Sequence, residues 1–143
     1  MSNITFNIAK GRVVELYNRV KSNDPTNAAL ILVPIETSGL EADATLIDAD
    51  TLAALLSGTT NEQTTMGRKV LTDADLAALP APDDTNDRYD ISLPTTTWVA
   101  ATGNAISKIA VGYDPDTTGG TDANIIPLTM FDFAQTPSGA DIQ

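Results

Sequence analysis

Residues 28–35 form a continuous apolar run, and this run restricts the possible folds more than any other segment of the chain. A strand that is apolar at every position has to be buried on both faces. The run is therefore predicted to be a strand inside a sheet or at a contact between subunits. Pro34 has no N–H to donate, so it is expected near the end of this strand or at a sheet edge.

The segment before this run has the residue spacing of a helix. Its apolar residues, at positions i, i+1, i+3, i+4 and i+7, are Val13, Val14, Leu16, Tyr17 and Val20. This spacing places them on one face of a helix. Valine and tyrosine also favour strands, which leaves a strand as the alternative. Residues 22–25 are expected to end the element, because the residue before a proline avoids the helical conformation.

Two later segments share a pattern of aspartate, alanine and leucine that predicts short helices, at about residues 48–57 and 73–79. In both, aspartate precedes the apolar residues, and a carboxylate at a helix start accepts hydrogen bonds from free N–H groups and suits the helix dipole. Pro80 and Pro82 are expected to end the second helix. The polar residues 57–67 between the two helices are expected to form a loop.

From Asp83 onward the sequence consists of short runs rich in threonine, valine, isoleucine and aromatic residues, separated by turn residues. This pattern is typical of strands joined by turns. The predicted strands are residues 88–93, 95–101, 106–113 and 125–133. A length of 143 residues suits a single domain. The chain is thus predicted to be one α+β domain over residues 1–143, with short helices in the first half and a β-rich, sandwich-like second half.

Basic residues are concentrated at the start of the chain. The sequence has 8 basic and 19 acidic residues, for a net charge of -11, but four of the basic residues and only one acidic residue, Glu15, precede Ser22. We predict that the basic N-terminal segment, residues 1–27, binds an acidic partner. The predicted binding residues are Lys10, Arg12, Arg19 and Lys21. The alternative is that they form only the solvated face of one element. The acidic remainder disfavours binding to nucleic acid.

The chain contains no histidine and no cysteine. These side chains are the ones most used for catalysis and for transition-metal binding near neutral pH. We therefore predict a protein that is not an enzyme and that uses no cofactor or metal. The sequence also lacks an apolar stretch of about 20 residues and the features of a signal peptide. A soluble protein that is made in the cytoplasm and does not bind membranes is the expectation.

The Asp-, Gly- and Thr-rich loop at residues 114–124 partly matches a calcium-binding EF-hand loop. Positions 1, 3, 5 and 6 of that pattern are Asp114, Asp116, Thr118 and Gly119. Ile125 replaces the required glutamate, and the flanking segments are predicted strands, so an EF-hand is excluded. A β-turn loop whose side chains bind local N–H groups is predicted, with a looser calcium site as the alternative. The Asp-Thr-Gly motif of aspartic proteases is interrupted here by an extra threonine.

Five segments of the chain resemble small virion proteins that are encoded among the head genes of tailed bacteriophages. They are residues 6–13, 17–25, 68–78, 82–90 and 113–129, and the second reads Tyr17-Asn-Arg-Val-Lys-Ser-Asn-Asp-Pro25. The resemblance covers most of the chain. It implies a capsid decoration or minor capsid protein that binds the major capsid protein and forms homo-oligomers on the capsid exterior. It implies no catalytic residues, and it implies that relatives continue past the position of Gln143 with a short aromatic strand.

Two other functions remain as alternatives. One is a tail, neck or fibre component, and the other is a carbohydrate-binding module for the host surface. The second would use aromatic rings as a platform for sugars, and five such residues lie in the predicted strands. They are Tyr89, Trp98, Tyr113, Phe131 and Phe133. Packing in the core is the expected role of these rings, because a sheet of this size needs about that many large side chains.

Overall fold

The computed structural model describes residues 2–143, in which five strands form one antiparallel sheet. In chain order the strands are β1 (Ile4–Thr5), β2 (Ala29–Glu36), β3 (Lys69–Leu71), β4 (Ile106–Asp114) and β5 (Ile126–Gln135). Their order across the sheet is β1-β5-β4-β2-β3, and every neighbouring pair is antiparallel. Strand β4 lies at the centre between β5 and β2, and β4 and β2 are buried along almost their whole length.

Four short helices accompany the sheet. They are α1 (Val13–Lys21), α2 (Asp43–Leu46), α3 (Leu52–Leu55) and α4 (Asp73–Leu76), and a 3₁₀ turn (Asn7–Ala9) precedes them. No helix within residues 2–143 is long and apolar enough to cross a membrane. The predicted class, a β-rich α+β domain, is confirmed. The strands of residues 2–143 form one sheet and not the two packed sheets of a sandwich.

The apolar run forms β2, as predicted, and every residue of β2 except Glu36 is buried. Pro34 lies two residues before the end of the strand, and its carbonyl accepts a hydrogen bond from the Gln63 N–H (2.9 Å). The N and O atoms of one strand residue point to the same side. The nitrogen of Pro34, which lacks a hydrogen, therefore faces the β3 side of β2. Strand β3 pairs only with Leu30–Leu32, so no residue of β3 lies opposite Pro34.

Helix α1 confirms the helical interpretation of residues 13–20. Leu16, Tyr17 and Val20 are buried, whereas Val14 is 46% exposed. The apolar face of α1 is therefore narrower than the spacing predicted. The helix ends at Lys21, immediately before the predicted stop.

The two predicted Asp/Ala/Leu helices exist but are shorter than predicted. The first begins after Thr51, whose hydroxyl accepts a hydrogen bond from the Ala54 N–H (3.1 Å), so threonine and not Asp48 caps it. The second is capped by Thr72 and Asp75, which form a reciprocal capping box. Helix α2 was not predicted. It is a single turn, and isolated turns of this length have little stability of their own, so it depends on packing of buried Leu46.

The strands predicted at residues 106–113 and 125–133 correspond to β4 and β5, but those predicted at 88–93 and 95–101 are wrong. Residues 88–101 contain only isolated bridges, in which Arg88 pairs with Asp83 and Trp98 with Ile142. Pro94 interrupts the segment and removes one backbone donor. Leu93 and Trp98 line a groove with Ile109 and other sheet residues, so this part of the segment lies against a face of the sheet and not beside an edge strand.

Candidate interaction surfaces

The four predicted binding residues differ in exposure and in contacts. Lys10, Arg12 and Arg19 are exposed, whereas Lys21 is partly buried. The Lys21 ammonium group donates a hydrogen bond to the Leu79 carbonyl (2.6 Å), which links α1 to the residues after α4. Lys21 therefore has a structural contact and offers little to a partner.

Glu15 lies between the two arginines of α1 and partly neutralises them. Its carboxylate is 3.0 Å from Arg19 Nε and 3.6 Å from Arg12 Nε. The hydrogen bond from Arg19 is the main reason that the pKa of Glu15 is lowered. We define the basic surface as Lys10, Arg12 and Arg19 together with this carboxylate. It retains a net positive charge on a protein that is otherwise strongly acidic.

A second surface is an apolar groove on one face of the sheet. Leu32 pairs with Val111, and Ile109 pairs with Phe131, so the register places these side chains on the same face. The segment that contains Leu93 and Trp98 crosses this face and leaves a groove of about 300 Å³ beside it. We call it the sheet groove and define it by six residues. They are Leu32, Leu93, Trp98, Ile109, Phe131 and Phe133.

The aromatic residues divide between core and surface. Trp98 and Tyr113 are each 4% exposed, as expected for core residues, but Phe131 is 39% exposed. Trp98 is held on two sides: its Nε1–H donates to the Gly67 carbonyl (2.9 Å), and the Lys69 ammonium group lies 5.9 Å from the ring centroid. A sugar platform needs exposed ring faces, which Trp98 does not provide.

The loop at residues 114–124 has the side-chain hydrogen bonds that the β-turn interpretation predicts. Asp114 accepts from the Asp116 N–H (3.0 Å), and one oxygen of Asp116 accepts from both the N–H and the hydroxyl of Thr118. Thr121 donates to the Asn124 side chain in the same way. Within residues 2–143, no group of three or more carboxylates converges on a position that could hold a metal ion.

Arg68 fastens this loop to the body of the protein, a contact that the sequence interpretation missed. Its guanidinium binds Glu62 through Nε (2.8 Å) and Nη2 (2.6 Å), and it binds Asp122 through Nη1 (2.6 Å) and Nη2 (2.9 Å). Such two-pronged contacts with carboxylates are the strongest that arginine makes. Asp122 is thus a structural anchor for the loop.

Replacing Asp122 with asparagine is expected to lower the free energy of unfolding by about 1 kcal/mol at pH 7, because the pair is partly exposed and screened by solvent. The hydrogen bonds from Arg68 lower the pKa of Asp122 below its usual value of 3.8. The stabilisation is therefore present above the pKa of the unfolded chain and is lost as the pH falls through the lowered native pKa. Urea unfolding between pH 7 and pH 2 measures this effect. The free energies of unfolding of the wild type and of Asp122→Asn should become equal in acid.

Asp84→Asn is the control for this experiment, since Asp84 is exposed and forms no ion pair among the described residues. It should leave stability unchanged at both ends of the pH range. A stability difference between wild type and Asp122→Asn that persists unchanged in acid would contradict the role of the Arg68 contact.

Lys108 in β4 forms a buried charged cluster that the sequence interpretation also missed. The side chain is fully buried, and its ammonium group contacts Asp132 Oδ1 (2.6 Å), Asp43 Oδ1 (3.1 Å) and the Ser2 carbonyl (3.0 Å). Three acceptors thus match the three N–H donors of lysine. Ser2 also donates its N–H to Asp43 (3.0 Å). This Lys108 cluster joins β4, β5 and α2 to the residues before β1.

Comparisons with protein-family models, with curated proteins and with solved structures found no match to this chain.

Proposed function

We propose that this chain is a virion structural protein of a tailed bacteriophage, a capsid decoration or minor capsid protein that attaches to the assembled head. The proposal rests on the resemblance of the five segments described above. The observation that supports an adhesive mechanism is the exposed basic surface of Lys10, Arg12 and Arg19 on a protein of net charge -11. The proposal includes no reaction, which agrees with a sequence without histidine or cysteine.

The proposed mechanism is passive. The basic surface faces acidic residues of the major capsid protein, and it steers and orients each copy on the head. A single contact of this kind is weak, but repeated contacts of a homo-oligomer raise the overall affinity by multivalency. The protein would be made in the host cytoplasm and would end on the capsid exterior.

Neutralising the basic surface with the triple variant Lys10→Gln, Arg12→Gln and Arg19→Gln is expected to weaken binding to purified heads by about tenfold at low salt. The salt dependence of binding should decrease as well, because fewer charges are screened. Lys21 is left intact, since its contact with Leu79 links α1 to the residues after α4. Co-sedimentation with heads at several salt concentrations measures both effects.

Arg88→Gln is the matched control, because Arg88 is exposed but lies outside the basic surface. It should bind heads as the wild type does. Unchanged occupancy of the triple variant would overturn the assignment of the basic surface. Copy number tests the location: hundreds of copies per particle indicate decoration, whereas a small multiple of three or six indicates the tail, neck or fibre alternative.

A further inference from the structure

We propose that residues 2–5 form a removable cap on the outer edge of β5, and that this N-terminal cap keeps two copies of the chain from pairing edge to edge through β5. The proposal concerns how the chain associates with itself. It does not rest on the phage assignment, and it uses other residues than those of the basic surface. It follows from the backbone contacts of β5, from the contacts that hold the cap and from the sequence of the strand.

The outer edge of β5, the side that faces away from β4, has few strand contacts. Strand β5 has 10 residues, but within residues 2–143 only Ile4 and Thr5 of β1 pair with it on this side. The Phe6 N–H continues the pairing by donating to the Leu128 carbonyl (3.0 Å). An edge strand with free N–H and C=O groups is a template for pairing with another chain. A very short segment therefore closes the edge of β5.

One side chain extends the cap beyond β1. The Oδ1 atom of Asn3 accepts a hydrogen bond from the Asp132 N–H (2.9 Å), so a side chain takes the place of a strand at this amide. The outward-facing amides of an antiparallel strand are two residues apart. Met130, two residues before Asp132, therefore faces the same edge, where Ile4 is its partner.

Polar contacts hold the start of the cap. The Ser2 carbonyl accepts a hydrogen bond from the buried Lys108 ammonium group (3.0 Å), and the Ser2 N–H donates to Asp43 (3.0 Å). Ile4 is only half-buried, and the first fully buried residue after Ser2 is Phe6. Residues 2–5 can thus leave β5 while Phe6 stays in the core. Local openings of this kind, which expose little apolar surface, cost less free energy than global unfolding.

The sequence of β5 favours a second copy of the chain as the occupant of an opened edge. Residues 128–134 read Leu-Thr-Met-Phe-Asp-Phe-Ala, a largely apolar segment without proline and with one charged residue, Asp132. Lys108 of the same copy lies 2.6 Å from that carboxylate and balances its charge. Segments of low charge and high strand preference pair with identical segments when their edges are open. Such pairing would also cover part of Phe131, which is 39% exposed.

The charge of the whole chain predicts how this pairing depends on salt. Two copies that each carry a charge of -11 repel each other. Salt screens this repulsion, over a distance of about 10 Å at 0.1 M ionic strength. Pairing through the opened edge should therefore be stronger at high salt than at low salt.

The test opens the cap by substitution in the full chain. Ile4→Pro removes the N–H of the residue opposite Met130, and Asn3→Ala removes the acceptor of the Asp132 N–H. We expect this double variant to self-associate about tenfold or more tightly than the wild type, because the open edge is no longer a minor state. Sedimentation at several protein concentrations should show its mass rising toward twice that of the wild type, and more strongly at high salt.

Amide exchange shows whether the contact lies at the edge of β5. In the double variant, the amides of Met130 and Asp132 should exchange more slowly at high protein concentration than at low concentration, since a second strand then binds them. Ile4→Val is the matched control, because it keeps the N–H and an apolar side chain, and it should behave as the wild type does. Adding Phe131→Lys to the double variant should restore the wild-type mass, because charged residues on edge strands oppose pairing.

Asn3→Ala alone keeps the test decisive if the double variant does not fold, because it changes only an exposed side chain. It should speed exchange of the Asp132 amide and raise the mass at high protein concentration, and the absence of both changes would overturn the proposal. So would a folded double variant that keeps the wild-type mass at every concentration, or one that associates while the Met130 and Asp132 amides stay unprotected. Head binding by the triple variant depends on the basic surface and does not affect these outcomes.

Discussion

Replacing Lys108 with alanine is expected to lower the free energy of unfolding by about 3–5 kcal/mol. The lysine is fully buried, and its removal leaves Asp43 and Asp132 facing each other without the positive charge between them. The Ser2 carbonyl would also lose its donor. Urea unfolding at pH 7 measures the loss, and amide exchange of residues 2–5 should increase because the cluster holds them to the sheet.

The control variants distinguish lost charge balance from lost packing. Lys10→Ala removes an exposed lysine and should change stability by less than about 0.5 kcal/mol. The triple variant Lys108→Met, Asp43→Asn and Asp132→Asn should recover most of the stability, since neutral groups in a partly buried site need no counter-charge. A small effect of Lys108→Ala alone, comparable to that of Lys10→Ala, would contradict the structural role of the cluster.

Replacing Trp98 with alanine is expected to lower the free energy of unfolding by about 3–5 kcal/mol, the usual cost of a large aromatic deletion from a core. The ring is 4% exposed and forms one wall of the sheet groove. Trp98→Phe should cost only about 1–2 kcal/mol, because it keeps an aromatic ring and loses mainly the hydrogen bond to Gly67. Denaturant unfolding measures both variants.

The expected instability of Trp98→Ala affects how the carbohydrate-binding alternative can be tested. Loss of glycan binding in Trp98→Ala would not identify Trp98 as a sugar contact, since the variant is expected to be poorly folded. Glycan binding by the wild type, lost in Phe131→Ser and kept in Trp98→Phe, would support a sugar platform at the sheet groove. A Trp98→Ala protein as stable as the wild type would contradict the buried position of the ring.

Local patterns in the sequence predict the elements whose stability is local or strongly apolar. The run that forms β2 and the spacing that forms α1 are of this kind, because burial alone determines their conformation. Residues 88–101 contain three threonines and Val99, which favour strands, but they pair only through isolated bridges. Strand preference reflects packing against neighbouring strands more than an intrinsic property of the backbone, so residues 88–101 do not form the strands that their composition predicts.

The charged contacts depend on residues far apart in the sequence. Arg68 and Asp122 are separated by 54 positions, and Lys108 reaches Ser2 across 106 positions. A count of charges along the chain detects the positive excess before Ser22, but it does not reveal that Lys21 contacts Leu79 or that Glu15 lies between two arginines. Such contacts between distant residues become predictable only when the order and register of the strands are known.

The strand order has a consequence for synthesis on the ribosome. Strand β2 emerges early, but its long partner β4 begins only at Ile106. Strand β1 pairs with β5, in which its partner Met130 is synthesised near the end of the chain. Until β4 has been made, the apolar run of β2 can pair only with the three residues of β3 and, at Ile35, with Glu62. Sheets that join distant segments form slowly and leave apolar strands open to aggregation meanwhile. Chaperones that bind nascent chains are therefore expected to engage residues 29–36 until the last third of the chain has been made.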